Sequence, residues 1–102
     1  MELKPGSRWR SAVCTAEVVI VRPPKGDVTL ECGGHPMVLF GAERPEGLTP
    51  AADRAEGVKM GKRYVDEETG IEALVSKAGD GSLSIDGRVL NLKEAKALPS
   101  SD

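Results

Sequence analysis

The chain has 102 residues, with 14 lysines and arginines against 16 aspartates and glutamates, for a formal net charge of -2. That length makes one domain with a modest core. Both signs of charge are spread along the chain with no basic block, and only Trp9, Phe40 and Tyr64 are aromatic, which excludes the electrostatic footprint and the stacking platforms of a nucleic-acid binder.

Twelve glycines and seven prolines favour many turns and short elements, as in an all-β chain, over a helical bundle. The N-terminal M-E-L-K-P-G-S-R-W-R has no apolar h-region, so it does not read as a secretory signal. No run approaches the roughly 18 apolar residues of a membrane span. The expectation is a soluble cytoplasmic protein with no membrane association. In that compartment two cysteines are expected as thiols or ligands rather than as a permanent disulfide.

In chain order, Pro5-Gly6 is a turn, and residues 8–13 are expected as a first strand. E-V-V-I-V-R at 17–22 is the strongest strand signal. It is β-branched and continuously apolar, and reads as buried on both faces or central in a sheet. Pro23-Pro24-Lys25-Gly26 turns the chain. D-V-T-L-E-C at 27–32 alternates in the strand period. Gly33-Gly34 permits positive φ, and P-M-V-L-F at 36–40 is a third apolar run.

Residues 41–62 form a polar, glycine-punctuated connector. Within it T-P-A-A-D-R-A-E-G predicts a short helix, with Thr49 as N-cap, Pro50 at the first helical position and Gly57 as the stop. Strand character returns at 63–65, 71–77, 82–85 and 88–92. Asp66-Glu67-Glu68 reads as a solvated acidic turn, with a hard cation as the alternative. Asp86-Gly87 is a type I′ hairpin signal. Residues 93–98 suggest a helical turn, and 100–102 a frayed end.

The halves align without a gap when the chain is slid by 55 residues. Gly6-Ser7-Arg8-Trp9 meets Gly61-Lys62-Arg63-Tyr64, Glu17 to Arg22 meets Glu72 to Lys77, and Gly26 to Glu31 meets Gly81 to Asp86. Aromatic falls on aromatic, base on base and turn glycine on turn glycine, but identities are few. The predicted fold is therefore all-β: a single domain, 1–102, of two small antiparallel β-meanders, 6–40 and 63–98. The halves are read as an internal repeat packed around one core, since neither meander buries its apolar face alone. The competing reading is that any two glycine-turned hairpins align this well.

The residues that carry chemistry are Cys14, Cys32 and His35. Their surroundings, V-C…E-V-V-I-V…G-D-V-T-L-E-C-G-G-H-P-M, resemble the desulforedoxin module, which also forms the N-terminal part of desulfoferrodoxins. Cys14 and Cys32 fall where that module has its second and third cysteines, and Leu30 and Met37 match as well. The resemblance covers about the first forty residues. It implies a small β scaffold around iron held in a tetrahedral site of four cysteine sulfurs. Ser11 and Gly33 replace the first and fourth cysteines, so a four-thiolate iron centre within one chain is not expected. The chain also resembles small actinobacterial proteins carrying C-G-G-H-P-M, a likeness that implies no activity.

Three readings of the corner stay open. Cys14, Cys32 and His35 are soft ligands for zinc or iron, and the C-x-x-H spacing suits zinc. A disulfide across the 18-residue separation would add roughly 3 kcal/mol in the chain-entropy model. Or both cysteines are small buried apolar residues. No glycine-rich phosphate loop is present, and the lone histidine has no triad around it. An enzyme is not expected. The leading expectation is a non-catalytic binding or accessory protein for a protein partner or small ligand, with homodimerisation as one arrangement. The alternative is a metal-binding or thiol-redox protein using Cys14, Cys32 and His35.

Overall fold

The E-V-V-I-V-R run forms β2 (Glu17–Arg22), the spine on which the other strands assemble. The computed structural model describes residues 1–45 and 47–93. Around β2 stand β1 (Arg8–Arg10), β3 (Leu30–Cys32), β4 (His35–Pro36), β5 (Val38–Leu39), β6 (Arg63–Val65), β7 (Glu72–Lys77), β8 (Leu83–Ile85), β9 (Arg88–Val89) and β10 (Asn91–Leu92). They build a six-stranded sheet in the order β10-β6-β7-β2-β1-β5 and a four-stranded sheet in the order β4-β3-β8-β9. Every pairing among the named strands is antiparallel. The all-β expectation holds, and no α-helix occurs among the described residues. No helix there is long and apolar enough to cross a membrane.

The halves repeat, and they interleave. β6 and β7 follow β1 and β2 at an offset of 55, while β8, β9 and β10 follow β3, β4 and β5 at an offset of 53. The gap-free alignment is therefore corrected by a two-residue shortening of the second half, between β7 and β8. The two meanders do not only pack against each other. They share ladders at the centre of both sheets, β2 on β7 and β3 on β8. In those ladders Val19 faces Leu74 and Glu31 faces Ser84, each the repeat equivalent of the other. A pseudo-twofold axis thus runs through both sheets.

Strand alternation sends Val18, Ile20, Ala73 and Val75 of the six-stranded sheet inward to meet Leu30, Cys32, Leu83 and Ile85 of the four-stranded sheet in one core. Each fully buried Leu, Ile or Val there contributes about 1.5–3 kcal/mol over its exposed state. The β2 run is central but not covered on both faces: Val19 is half-buried and Val21 is 40% exposed. The two apolar runs after the hairpins split for one reason. Met37 and Leu90 are buried pivots whose amides donate to Leu30 and Leu83, and the chain there leaves one sheet and enters the other. Asp86 (φ 47) and Gly87 (φ 83) both take the positive φ that a type I′ hairpin requires, and Gly33 and Gly34 repeat the device in the first half.

The helix expected from Thr49 is corrected to a three-residue 3-10 helix, Ala52–Arg54, with Ala51 at its N-cap and no capping side chain. Its backbone groups are taken by neighbours instead: Ala51 N donates to Gly33 O at 2.8 Å, and Ser82 N donates to Arg54 O at 2.7 Å. So short a segment gains more from these ladders than from a costly helical nucleus. The helical turn expected over 93–98 lies, beyond residue 93, outside the described residues, as does the frayed end at 100–102.

The acidic turn is corrected as well. Asp66 is 5% exposed and receives Arg88 Nε at 2.9 Å, Arg88 NH2 at 2.8 Å and the Thr69 hydroxyl at 2.8 Å. Arg88 also holds Glu68 at 2.8 Å. The Arg88 bonds hold the Asp66 carboxyl down at about 2, against the opposing pull of burial. Because the folded value lies below the unfolded value of about 3.9, the stabilisation is complete above pH 4 and is lost as pH falls toward 2. Asp66→Asn is expected to lower stability at pH 7 by about 2 kcal/mol, since freed Arg88 rehydrates. Urea titrations should show the gap between variant and wild type closing between about pH 4 and pH 2. A gap independent of pH would refute the assignment.

Candidate functional site

The β1–β2 loop, residues 11–16, is closed by Ser11 N donating to Ala16 O at 2.8 Å. The Ser11 hydroxyl oxygen, fully buried, accepts the amides of Val13 and Cys14 at 3.1 Å each. A hydroxyl that caps its own loop in this way competes well with regular pairing, and here it turns Cys14 back toward the core. Cys32 ends β3, points into the core and is 0% exposed. The two sulfurs stand 3.8 Å apart, with Cys14 half-buried.

A wall of main chain closes the corner. A Cβ at Gly79 would sit 2.4 Å from Ala16 N and 2.8 Å from Cys14 Sγ, and one at Gly81 would sit 3.0 Å from Cys32 Sγ and 2.7 Å from Gly33 N. Only glycine lets the backbone come so near the sulfurs. The turn carrying both glycines is pinned on three sides. Thr15 Oγ1 donates to Ala78 O at 2.7 Å, Val58 N to Gly79 O at 3.0 Å, and Gly33 N to Ser82 O at 2.9 Å. The connector lies against the same corner, with Arg44 NH2 donating to Cys14 O at 3.1 Å.

The two thiols are chemically unequal. Burial pushes the Cys14 thiol up, but the Ser11 hydroxyl and the amides of Ala16 and Gly81 favour the anion more, and the balance is below the usual thiol value. Burial pushes Cys32 up to about 12, the Ser11 hydroxyl relieves this only in part, and charge on Cys14 adds to it. One hydroxyl proton serves one sulfur at a time, so ionising Cys14 leaves Cys32 as the neutral partner.

His35 is placed elsewhere. It lies opposite Cys32 in the β3–β4 register, but its Nε2 donates to Thr49 O at 3.1 Å. Among the described residues no three of His, Cys, Asp or Glu converge as a metal-holding group. The four-thiolate iron of the desulforedoxin module does not fit these residues. Ser11 stands in for one ligand, and a Cβ at Gly33 would lie 2.7 Å from Val13 Cγ2 and 3.3 Å from Pro50, so the fourth ligand position is filled by packing.

The repeat supplies an internal comparison. Ser11 and Cys14 correspond to Asp66 and Thr69, and Cys32 and His35 to Ile85 and Arg88, by the offsets of 55 and 53. Asp66 accepts the Thr69 amide at 3.2 Å, as Ser11 accepts that of Cys14. One corner of the pseudo-dimer thus carries a structural ion pair and the other a pair of thiols. The contributions of Ser11, Gly79 and Gly81 were not visible as chemistry in the sequence. The S-x-x-C and A-G-D-G strings read as a lost ligand and an ordinary turn. Comparison with protein-family models, with curated proteins and with solved structures finds no match to this chain.

Iodoacetamide at neutral pH is expected to label Cys14 and spare Cys32 until the protein is unfolded, with a pH midpoint for Cys14 below that of an ordinary thiol. Ser11→Ala should move that midpoint upward and lower stability by about 1–2 kcal/mol, because two amides lose their acceptor. Equal labelling of both cysteines in folded protein would contradict this arrangement. Gly79→Ala should destabilise by about 2–4 kcal/mol through backbone overlap, measured by chemical denaturation.

Proposed function

We propose that this protein is a small accessory module, on a desulforedoxin-like scaffold, that works through a reversible thiol–disulfide pair formed by Cys14 and Cys32. The observation that carries the reading is the 3.8 Å between the sulfurs of a partly buried and a fully buried cysteine whose acidities shift in opposite directions. Bonding requires the sulfurs to close from 3.8 Å to about 2.05 Å, a movement within reach of side-chain rotation. The partly buried and more acidic Cys14 meets an incoming reagent first, and Cys32 resolves the product from inside the core, a division of labour that thiol exchange needs. Closure draws on the same segment that holds Arg44 at Cys14 O, so the redox state reaches the connector, a surface suited to a binding partner.

The reading is tested by intact mass. Reduced protein treated with a mild oxidant such as diamide should lose the mass of two hydrogen atoms, resist alkylation at both cysteines, and gain roughly 3 kcal/mol of stability from the closed loop. Cys14→Ser and Cys32→Ser should each abolish the change. Purified protein carrying stoichiometric zinc or iron on these cysteines, with no disulfide formed by any oxidant, would replace this reading with a metal-binding one.

A further inference from the structure

Resting on the dithiol reading, the geometry points to a small hydroperoxide, of which hydrogen peroxide is the simplest, as the oxidant of this corner, with Cys14 oxidised first and Cys32 resolving it.

The first ground is access. Main chain flanks the sulfurs so closely that a single methyl group on Gly79 or Gly81 would overlap one of them. That wall is tied to three different segments, at Thr15, Val58 and Gly33, and Arg44 of the connector is tied to the Cys14 carbonyl. Attack on a disulfide needs a nearly linear row of three sulfurs, with a substituent on each of the two that arrive. A peroxide brings two oxygen atoms and needs no such space.

The second ground is the polar surroundings of Cys14. The Ser11 hydroxyl accepts the Cys14 amide at 3.1 Å, and together with the amides of Ala16 and Gly81 it favours the Cys14 anion against burial, the form that attacks a peroxide. The third is the position of Cys32. It is beyond the reach of solvent but 3.8 Å from the atom it must attack, so the first product is consumed before further oxidation of Cys14 up the sulfur ladder.

The chemistry balances. Cys14, having given its proton to solvent, attacks one peroxide oxygen. The S–O bond forms, the O–O bond breaks, and the departing hydroxide takes a proton from solvent to leave as water. Sulfur is oxidised by two electrons to sulfenic acid and the peroxide is reduced. Cys32 then attacks the Cys14 sulfur. The S–S bond forms, the S–O bond breaks, and the leaving hydroxide takes the Cys32 proton to give a second water. A thiol reductant restores the pair by attack on the disulfide, a step that meets the same hindrance and is correspondingly slow.

The test is a rate comparison on the reduced 102-residue chain, with hydrogen peroxide against oxidised glutathione at equal concentration, quenched and read by intact mass. Peroxide is expected to form the intramolecular disulfide at least about tenfold faster than glutathione disulfide does, and faster than it oxidises free cysteine. In Cys32→Ser, peroxide should add one oxygen to Cys14, captured by a 1,3-dicarbonyl sulfenic-acid trap. Faster oxidation by glutathione disulfide, or no trapped sulfenic acid at Cys14, would overturn the peroxide assignment and leave the dithiol pair standing. If neither reagent nor diamide closes the disulfide in the wild-type protein, the dithiol reading itself falls. The wild-type rates decide the question even if a variant folds poorly.

Discussion

The antiparallel ladder between β2 and β7, mirrored by that between β3 and β8, is the constraint on which the rest of the structure depends. Each half of the chain is a meander with one apolar face and open edges, too small to bury that face alone. Edge pairing through both sheets satisfies the backbone groups of the central strands and sets Val18, Ile20, Ala73 and Val75 over Leu30, Cys32, Leu83 and Ile85. The pairing is also what carries Cys32 into the core and brings the turn after β7 onto the loop after β1.

That exchange of turns makes the two pseudo-equivalent corners. In each, a short side chain at the end of the first strand ties the following loop by its amide: Ser11 for Cys14, Asp66 for Thr69. The corners then diverge in charge. Asp66 is ionised and answered by Arg88, an arrangement whose value lies in holding the turn. Ser11 is neutral and carries no counter-ion. A neutral hydroxyl and two amides tilt Cys14 toward its anion, while the same burial that completes the core drives Cys32 the other way. One fold element thus serves as a brace on one side and as a reactive pair on the other.

Cys14 and Cys32, the two cysteines that carry the resemblance to the desulforedoxin module, do meet. The C-x-x-H spacing added His35 to the candidate ligands, and its Nε2 donates to the Thr49 carbonyl. The C-x-x-H spacing spans a two-glycine hairpin, and a tight turn places its flanking residues side by side without aiming both side chains at one point. Which way the imidazole turned was settled by an acceptor in the connector, far along the chain.

What the sequence determined by itself was the all-β class, the strong β2 run, the type I′ turn at Asp86-Gly87 and the likeness of the halves, because each rests on local propensity and period. It could not register the two-residue shortening after β7. The side-chain period of a strand is two, so a slip of two leaves every inward residue inward and the pattern unchanged. Nor could it foresee that the connector would surrender its helix to pairing with Gly33 and Ser82, or that Asp66 would be buried against Arg88. Those outcomes, and the 3.8 Å between the sulfurs, depend on segments distant in sequence competing for the same hydrogen-bonding groups and the same volume, and only the assembled tertiary structure decides that competition.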